Sequence, residues 1–138
     1  MLERLYEICG TMRVLVIDDE ENIVNVVSAV LRDLKVKTIW TAADGNAGLD
    51  IFRQVRNQVD LIICDWMMPG MNGLEFLGRI REIDSSVLFL MLTAKATPEA
   101  ITSAKVSGVN AYVMKPFDPL DLRKKVLALV KSRHPEPQ

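Results

Sequence analysis

The sequence predicts an α/β protein, a parallel sheet of five strands with helices packed on both faces. Three observations predict it. The runs "RVLVID" (Arg13 to Asp18), "VDLIICD" (Val59 to Asp65) and "SVLFLML" (Ser86 to Leu92) are almost continuously apolar over one strand length, the pattern of strands buried on both faces. Between such runs the apolar residues recur with the helical period. Strand and helix then alternate along the chain, and right-handed crossovers lead from that alternation to a doubly covered parallel sheet. Alternation does not set the order of the strands within the sheet.

Taken in order, the first strand is Arg13 to Asp18. A helix follows in which Ile23, Val26, Val27, Val30, Leu31 and Leu34 stand at i, i+3, i+4, i+7, i+8 and i+11, one face of a cylinder. "VKTIWTA" (Val36 to Ala42) alternates and is the second strand. A second helix starts near Asp44 and covers "AGLDIFRQV". The run ending at Asp65 is the third strand, and a third helix runs from about Gly73 through Leu74, Leu77 and Ile80. After the fourth strand, Thr97 is an N-cap with Pro98 at the first helical position and Gly108 at the stop. "VNAYVM" (Val109 to Met114) is the fifth strand. The fifth helix repeats the capping logic with Asp118 and Pro119, turns Leu122, Val126, Leu129 and Val130 inward, and leaves Lys124, Lys125, Lys131 and Arg133 outside.

The chain has 138 residues, one domain's worth, with 49% hydrophobic and 25% charged residues, the balance of an ordinary globular domain. Lys plus Arg is 17 against 18 for Asp plus Glu, which argues against direct nucleic-acid binding as the main activity. Cys9 and Cys64 are far apart in sequence, and Cys64 lies in an apolar run, so we read Cys64 as a small buried hydrophobe and expect a reducing, cytoplasmic location. No window reaches the roughly 18 apolar residues of a membrane span, so no membrane role is expected. We expect one domain over 12–131, an N-terminal extension over 1–11, and "SRHPEPQ" (132–138) as a solvated tail.

The polar residues carry the function. In open α/β sheets ligands bind at the carboxyl ends of the strands. Here the first strand ends on Asp18 and Asp19, the third on Asp65, the fourth on Thr93 and the fifth on Lys115. Parallel strands bring these ends to one rim. Clustered carboxylates need a cation, and an all-oxygen set suits Mg²⁺. Thr93 and Lys115 beside it could hold phosphoryl oxygens, one by a hydrogen bond and the other by charge. Asp65 is then the oxygen nucleophile, able to form an acyl phosphate.

At these residues the chain resembles the receiver domain of bacterial two-component response regulators, most closely the stand-alone chemotaxis type. "LVIDDEEN" is similar to the family's acidic pair, "DLIICDWMMPGMNGLEFL" to its phosphoacceptor segment, "FLMLTAKA" to its switch threonine, and "GVNAYVMKPF" to its Lys-Pro segment with an aromatic three residues earlier. The resemblance covers roughly Met12 to Lys131. It implies a flavodoxin-like (βα)5 three-layer sandwich with strand order 2-1-3-4-5 and a cis Lys115–Pro116 peptide. It implies that Asp65 is phosphorylated, that Asp18, Asp19, Asp65 and the backbone carbonyl of Met67 bind Mg²⁺, and that Thr93 and Lys115 bind the phosphoryl group. Tyr112 falls at the aromatic position that turns inward with Thr93, altering the surface of the fourth helix, fifth strand and fifth helix. The implied partners are a sensor histidine kinase or histidine phosphotransfer protein and a downstream protein target.

Two other readings stand beside it. A phosphohydrolase of the haloacid dehalogenase type also forms an aspartyl phosphate, but wants a second Asp two residues after the nucleophile, where this chain has Met67. A receiver-like module that is never phosphorylated is the other, and the intact acids, Thr93 and Lys115 weigh against it.

Overall fold

Five parallel strands form the sheet that the alternation predicts: β1 (Arg13–Ile17), β2 (Thr38–Ala42), β3 (Leu61–Asp65), β4 (Leu88–Thr93) and β5 (Ala111–Met114), in the spatial order β2-β1-β3-β4-β5 that the resemblance implied. The computed structural model describes residues 2–94 and 97–135, so Met1 of the extension and 136–138 of the tail lie outside the described residues. Six helices cover the sheet: α1 (Leu2–Thr11), α2 (Glu21–Asp33), α3 (Gly45–Val55), α4 (Gly73–Ile83), α5 (Pro98–Val106) and α6 (Pro119–Arg133).

The near-continuous apolar runs are buried on both faces because each face is covered. Val14, Val16, Leu61, Ile63, Leu88, Leu90 and Leu92 project into a core shared with α1, α2 and α6. The alternate residues Leu15, Ile17, Ile62, Cys64, Phe89 and Met91 meet α3, α4 and α5 on the other face. The predicted caps form as the residue types require: Thr97 accepts the Ala100 N–H, Asp118 accepts the Leu120 N–H, and each is followed by Pro at the start of its helix.

Several details differ from the sequence-based expectation or add to it. Val26, placed on the inward face of its helix, is exposed, while Val24 packs against the core; the buried stripe is rotated so that Val24, Val27 and Leu31 lead. β2 and β5 start later than the apolar patterns suggested, for one shared reason. The Val36 N–H reaches back to the Leu31 carbonyl at 3.0 Å and the Val109 N–H to the Ala104 carbonyl at 3.0 Å, with Lys35 and Gly108 at positive φ between. Both valines therefore belong to helix-closing turns. The extension is a helix, α1, with Leu5 and Cys9 in the core. α6 runs on through Ser132 and Arg133, which are exposed, and the carbonyl of His134 accepts a hydrogen bond from Arg4 at 3.1 Å. Among the described residues no helix is long and apolar enough to cross a membrane.

Candidate functional site

The sheet register places the polar strand ends side by side. Ile17 pairs with Cys64, Asp65 with Leu92, and Thr93 with Met114, so Asp18, Asp65, Thr93 and Lys115 are each the last of a strand or the one just beyond, and Asp19 follows Asp18. The ladder continues past the strands to hold the rim backbone: the Asp18 N–H donates to Ala42, Trp66 to Leu92 and Lys115 to Thr93, at 3.1, 2.8 and 2.7 Å. The Lys115–Pro116 peptide is cis, as the resemblance implied.

Asp18, Asp65 and Thr93 are buried polar residues in an otherwise apolar layer, with Asp65 only 3% exposed. The Lys115 ammonium lies between the two carboxylates, 2.9 Å from Asp18 Oδ2 and 3.1 Å from Asp65 Oδ1. Asp18 Oδ1 accepts the Glu20 N–H at 2.9 Å, and Asp65 Oδ1 faces the Met67 N–H at 3.4 Å. Burial, joined by the charge of Asp18, raises the Asp65 pKa to about 6 against the pull of Lys115. Burial works against the Lys115 charge as well, but the two carboxylates outweigh it and hold its pKa above that of an ordinary lysine.

One carboxylate oxygen from each of Asp18, Asp19, Glu20 and Asp65 falls in a group within 4.8 Å of one another. That all-oxygen donor set fits a hard divalent cation such as Mg²⁺. Glu20 is the member that the sequence reading did not single out. Its signal was there: a long acid at the residue before a helix, a place better served by a short capping side chain.

Met67, two residues beyond Asp65, is 55% exposed. Thr93 ends β4 within the core. Tyr112 is half-buried against the α3–α4–α5 core and lines a cleft with Met114, Phe117, Lys124 and Lys125.

The loop after β3 closes tightly on α4, where the Gly73 N–H donates to the Trp66 carbonyl at 2.7 Å. A Cβ on Gly73 would stand 2.4 Å from the Asp65 carbonyl oxygen and 2.8 Å from the Trp66 Cα. Backbone cannot step aside as a side chain does, so Gly73→Ala should destabilise the fold by about 2–3 kcal/mol. Urea denaturation would show it, and an unchanged midpoint would mean the loop is looser than this geometry.

Comparison with known proteins places the whole chain rather than its site. A family model described as the response regulator receiver domain matches residues 14–127. The chain is 35% identical over 117 residues to chemotaxis protein CheY-3 of Vibrio cholerae, covering 83% of this chain and 88% of that protein. It is 37% identical over 125 residues to the DNA-binding response regulator MtrA of Mycolicibacterium smegmatis, covering 91% of this chain but 53% of that longer protein. The solved structure of the chemotaxis response regulator CheY4 of Vibrio cholerae superposes with a TM-score of 0.76 at 34% identity, over 87% of this chain and 98% of that one.

Proposed function

The chain belongs to the response regulator receiver domain family of two-component systems, and from that membership we propose that it is a switch operated by phosphorylation of Asp65. The observation that carries the proposal is the Lys115 ammonium bonded to both Asp18 and Asp65 at the carboxyl rim of the sheet. In this reading an Asp65 carboxylate oxygen attacks the phosphorus of a phosphohistidine on a sensor kinase or phosphotransfer protein. The P–N bond breaks, and its electron pair stays with the departing imidazole nitrogen, which takes up a proton.

Asp18, Asp19, Asp65 and the Met67 carbonyl would hold Mg²⁺, which when bound supplies positive charge against the phosphoryl oxygens. Lys115 and the Thr93 hydroxyl would hold the oxygens of the transferred group. Incubation with a small phosphodonor and Mg²⁺, followed by intact mass, should show a single phosphate adduct that disappears in Asp65→Asn. Equal labelling of that variant would move the acceptor elsewhere.

The output would be a change on the face built from α5, β5 and α6. Phosphorylation adds charge and acceptor oxygens, which would draw Thr93 inward and free space for the Tyr112 ring. The free protein then populates that form as a minor state. Thr93→Ala should still accept phosphate but show a smaller amide shift change on α5 and β5 with beryllofluoride as phosphoryl mimic. Identical shifts in wild type and variant would break the coupling of Thr93 to Tyr112.

A further inference from the structure

Glu20 occupies the N-cap position of α2, with extended φ −93° and ψ 108°, and its side chain makes no capping hydrogen bond. The corresponding residues of α4, α5 and α6, namely Asn72, Thr97 and Asp118, all cap. A glutamate at this position gives up stabilisation that a short side chain would supply, and such local departures concentrate where a residue has another task. The Glu20 carboxylate extends toward Lys115 instead, with Oε1 3.8 Å from Nζ. Asp18 fixes the backbone from which it projects, through the hydrogen bond from the Glu20 N–H.

At 3.8 Å Glu20 is an ion-pair neighbour of the ammonium but not a hydrogen-bond partner. Lys115 is held instead by Asp18 Oδ2 and Asp65 Oδ1. A divalent cation at this rim draws on the same carboxylates, and the other oxygen of Asp18 is already taken by the Glu20 N–H. The ammonium and the cation therefore compete. The Lys115 side chain is 13% exposed, so an ammonium that lost both aspartates without a new partner would be shielded from water and unpaired, an unfavourable state. Glu20 is 63% exposed and in reach, and a shift of Lys115 on the order of 1 Å would make the contact a direct hydrogen bond.

We propose that Glu20 is a positioning residue that receives the Lys115 ammonium once the carboxylates of Asp18 and Asp65 are engaged by a divalent cation. This rests on the reading of the rim as a metal and phosphoryl site. Glu20 keeps the lysine at the mouth of the site, where it can turn to an incoming phosphoryl oxygen, and lowers the barrier that Lys115 otherwise sets against metal entry.

The test is a double-mutant cycle on Mg²⁺ affinity, read by calorimetry and by the fluorescence of Trp66, the neighbour of Asp65. Glu20→Gln should weaken Mg²⁺ binding about three-fold, the scale of a largely exposed ion pair, and the effect should vanish when Lys115→Gln is also present. Glu21→Gln, one residue further along and outside the acidic group, is the control for charge alone and should leave affinity nearly unchanged. The same loss with Lys115 removed would make Glu20 a direct ligand, and the same loss in Glu21→Gln would make it a general charge effect; either overturns the proposal. A Mg²⁺-loaded crystal structure of the wild type is an independent measure should Lys115→Gln fold poorly. Lys115 on Glu20 supports the proposal, and Lys115 still on Asp18 and Asp65 overturns it. Absence of Mg²⁺ binding by the wild type would instead bring down the reading of the whole rim.

Discussion

Asp65→Asn should make the metal-free protein more stable, and more so at about pH 7.5 than at about pH 5. Asp65 is buried beside Asp18, and both effects raise its pKa to about 6, above the ordinary carboxylate value near 3.9. Between those values the folded chain holds a proton that the unfolded chain has released. The contribution of Asp65 to stability is therefore greatest below the unfolded value, declines as pH rises toward about 6, and is level above that. A difference of about two pK units corresponds to roughly 3 kcal/mol at 1.36 kcal/mol per unit. Asparagine keeps the shape and an acceptor for Lys115 but removes the charge. In urea denaturation at about pH 7.5 the variant should gain on the order of 2–3 kcal/mol, shrinking as pH falls toward the unfolded pKa. With the metal site as proposed, saturating Mg²⁺ should narrow the gap, since the ion would bind the wild-type fold more tightly than a variant without the Asp65 charge. A variant less stable than wild type at pH 7.5, or a gain independent of pH, would contradict this account. The buried acid that we propose as the phosphate acceptor is then also a weak point of the resting fold.

The rim was legible because its residues interrupt apolar runs at fixed places: Asp65 after Cys64, Thr93 after Leu92 and Lys115 after Met114. The caps at Thr97 and Asp118 were legible because capping is a local chemistry. Strand order was not, and came only with the resemblance, because alternation says that neighbours are parallel without saying which they are. Nor was the role of Arg81. Its guanidinium donates to the carbonyls of Gly108 and Val87 and to the Asn110 side chain, whose oxygen also accepts the Phe89 N–H. That network ties α4 to the amino ends of β4 and β5 through residues up to 29 positions apart, and no local pattern announces it. Val26 was misplaced for a related reason. A helix with valines at 24, 26, 27 and 30 offers two overlapping stripes, and the sheet and α6 decide which is buried.

Removing residues 1–11 should weaken the fold by several kcal/mol, because α1 is part of the core. In sequence its charges, at Glu3, Arg4 and Glu7, obscured an apolar set at Leu2, Leu5, Ile8 and Cys9. In the structure Leu5 and Cys9 join the core shared with Met12, Leu34, Val36 and Val130, with Tyr6 and Ile8 packed against it. Arg123 of α6 links three helices, donating to the Tyr6 hydroxyl of α1 and to Asp33 of α2, with its guanidinium 5.6 Å from the centre of the Tyr6 ring. A helix of this length does not hold itself in water, so its order derives from this docking, and its loss would expose the apolar residues beneath it. Leu5→Ala alone should lose about 2–3 kcal/mol, and Tyr6→Phe about 1 kcal/mol. Thiol labelling offers a local readout, since Cys9 and Cys64 are both free and buried. In Leu5→Ala, Cys9 should react at urea concentrations where Cys64, in the central strand β3, stays protected. Simultaneous labelling of the two thiols, or a truncated chain as stable as the full one, would show α1 to be an ornament on the sheet. α1 leads into the amino end of β1, opposite the acidic rim, so the phosphorylation proposed for Asp65 should survive in the truncated chain wherever it remains folded.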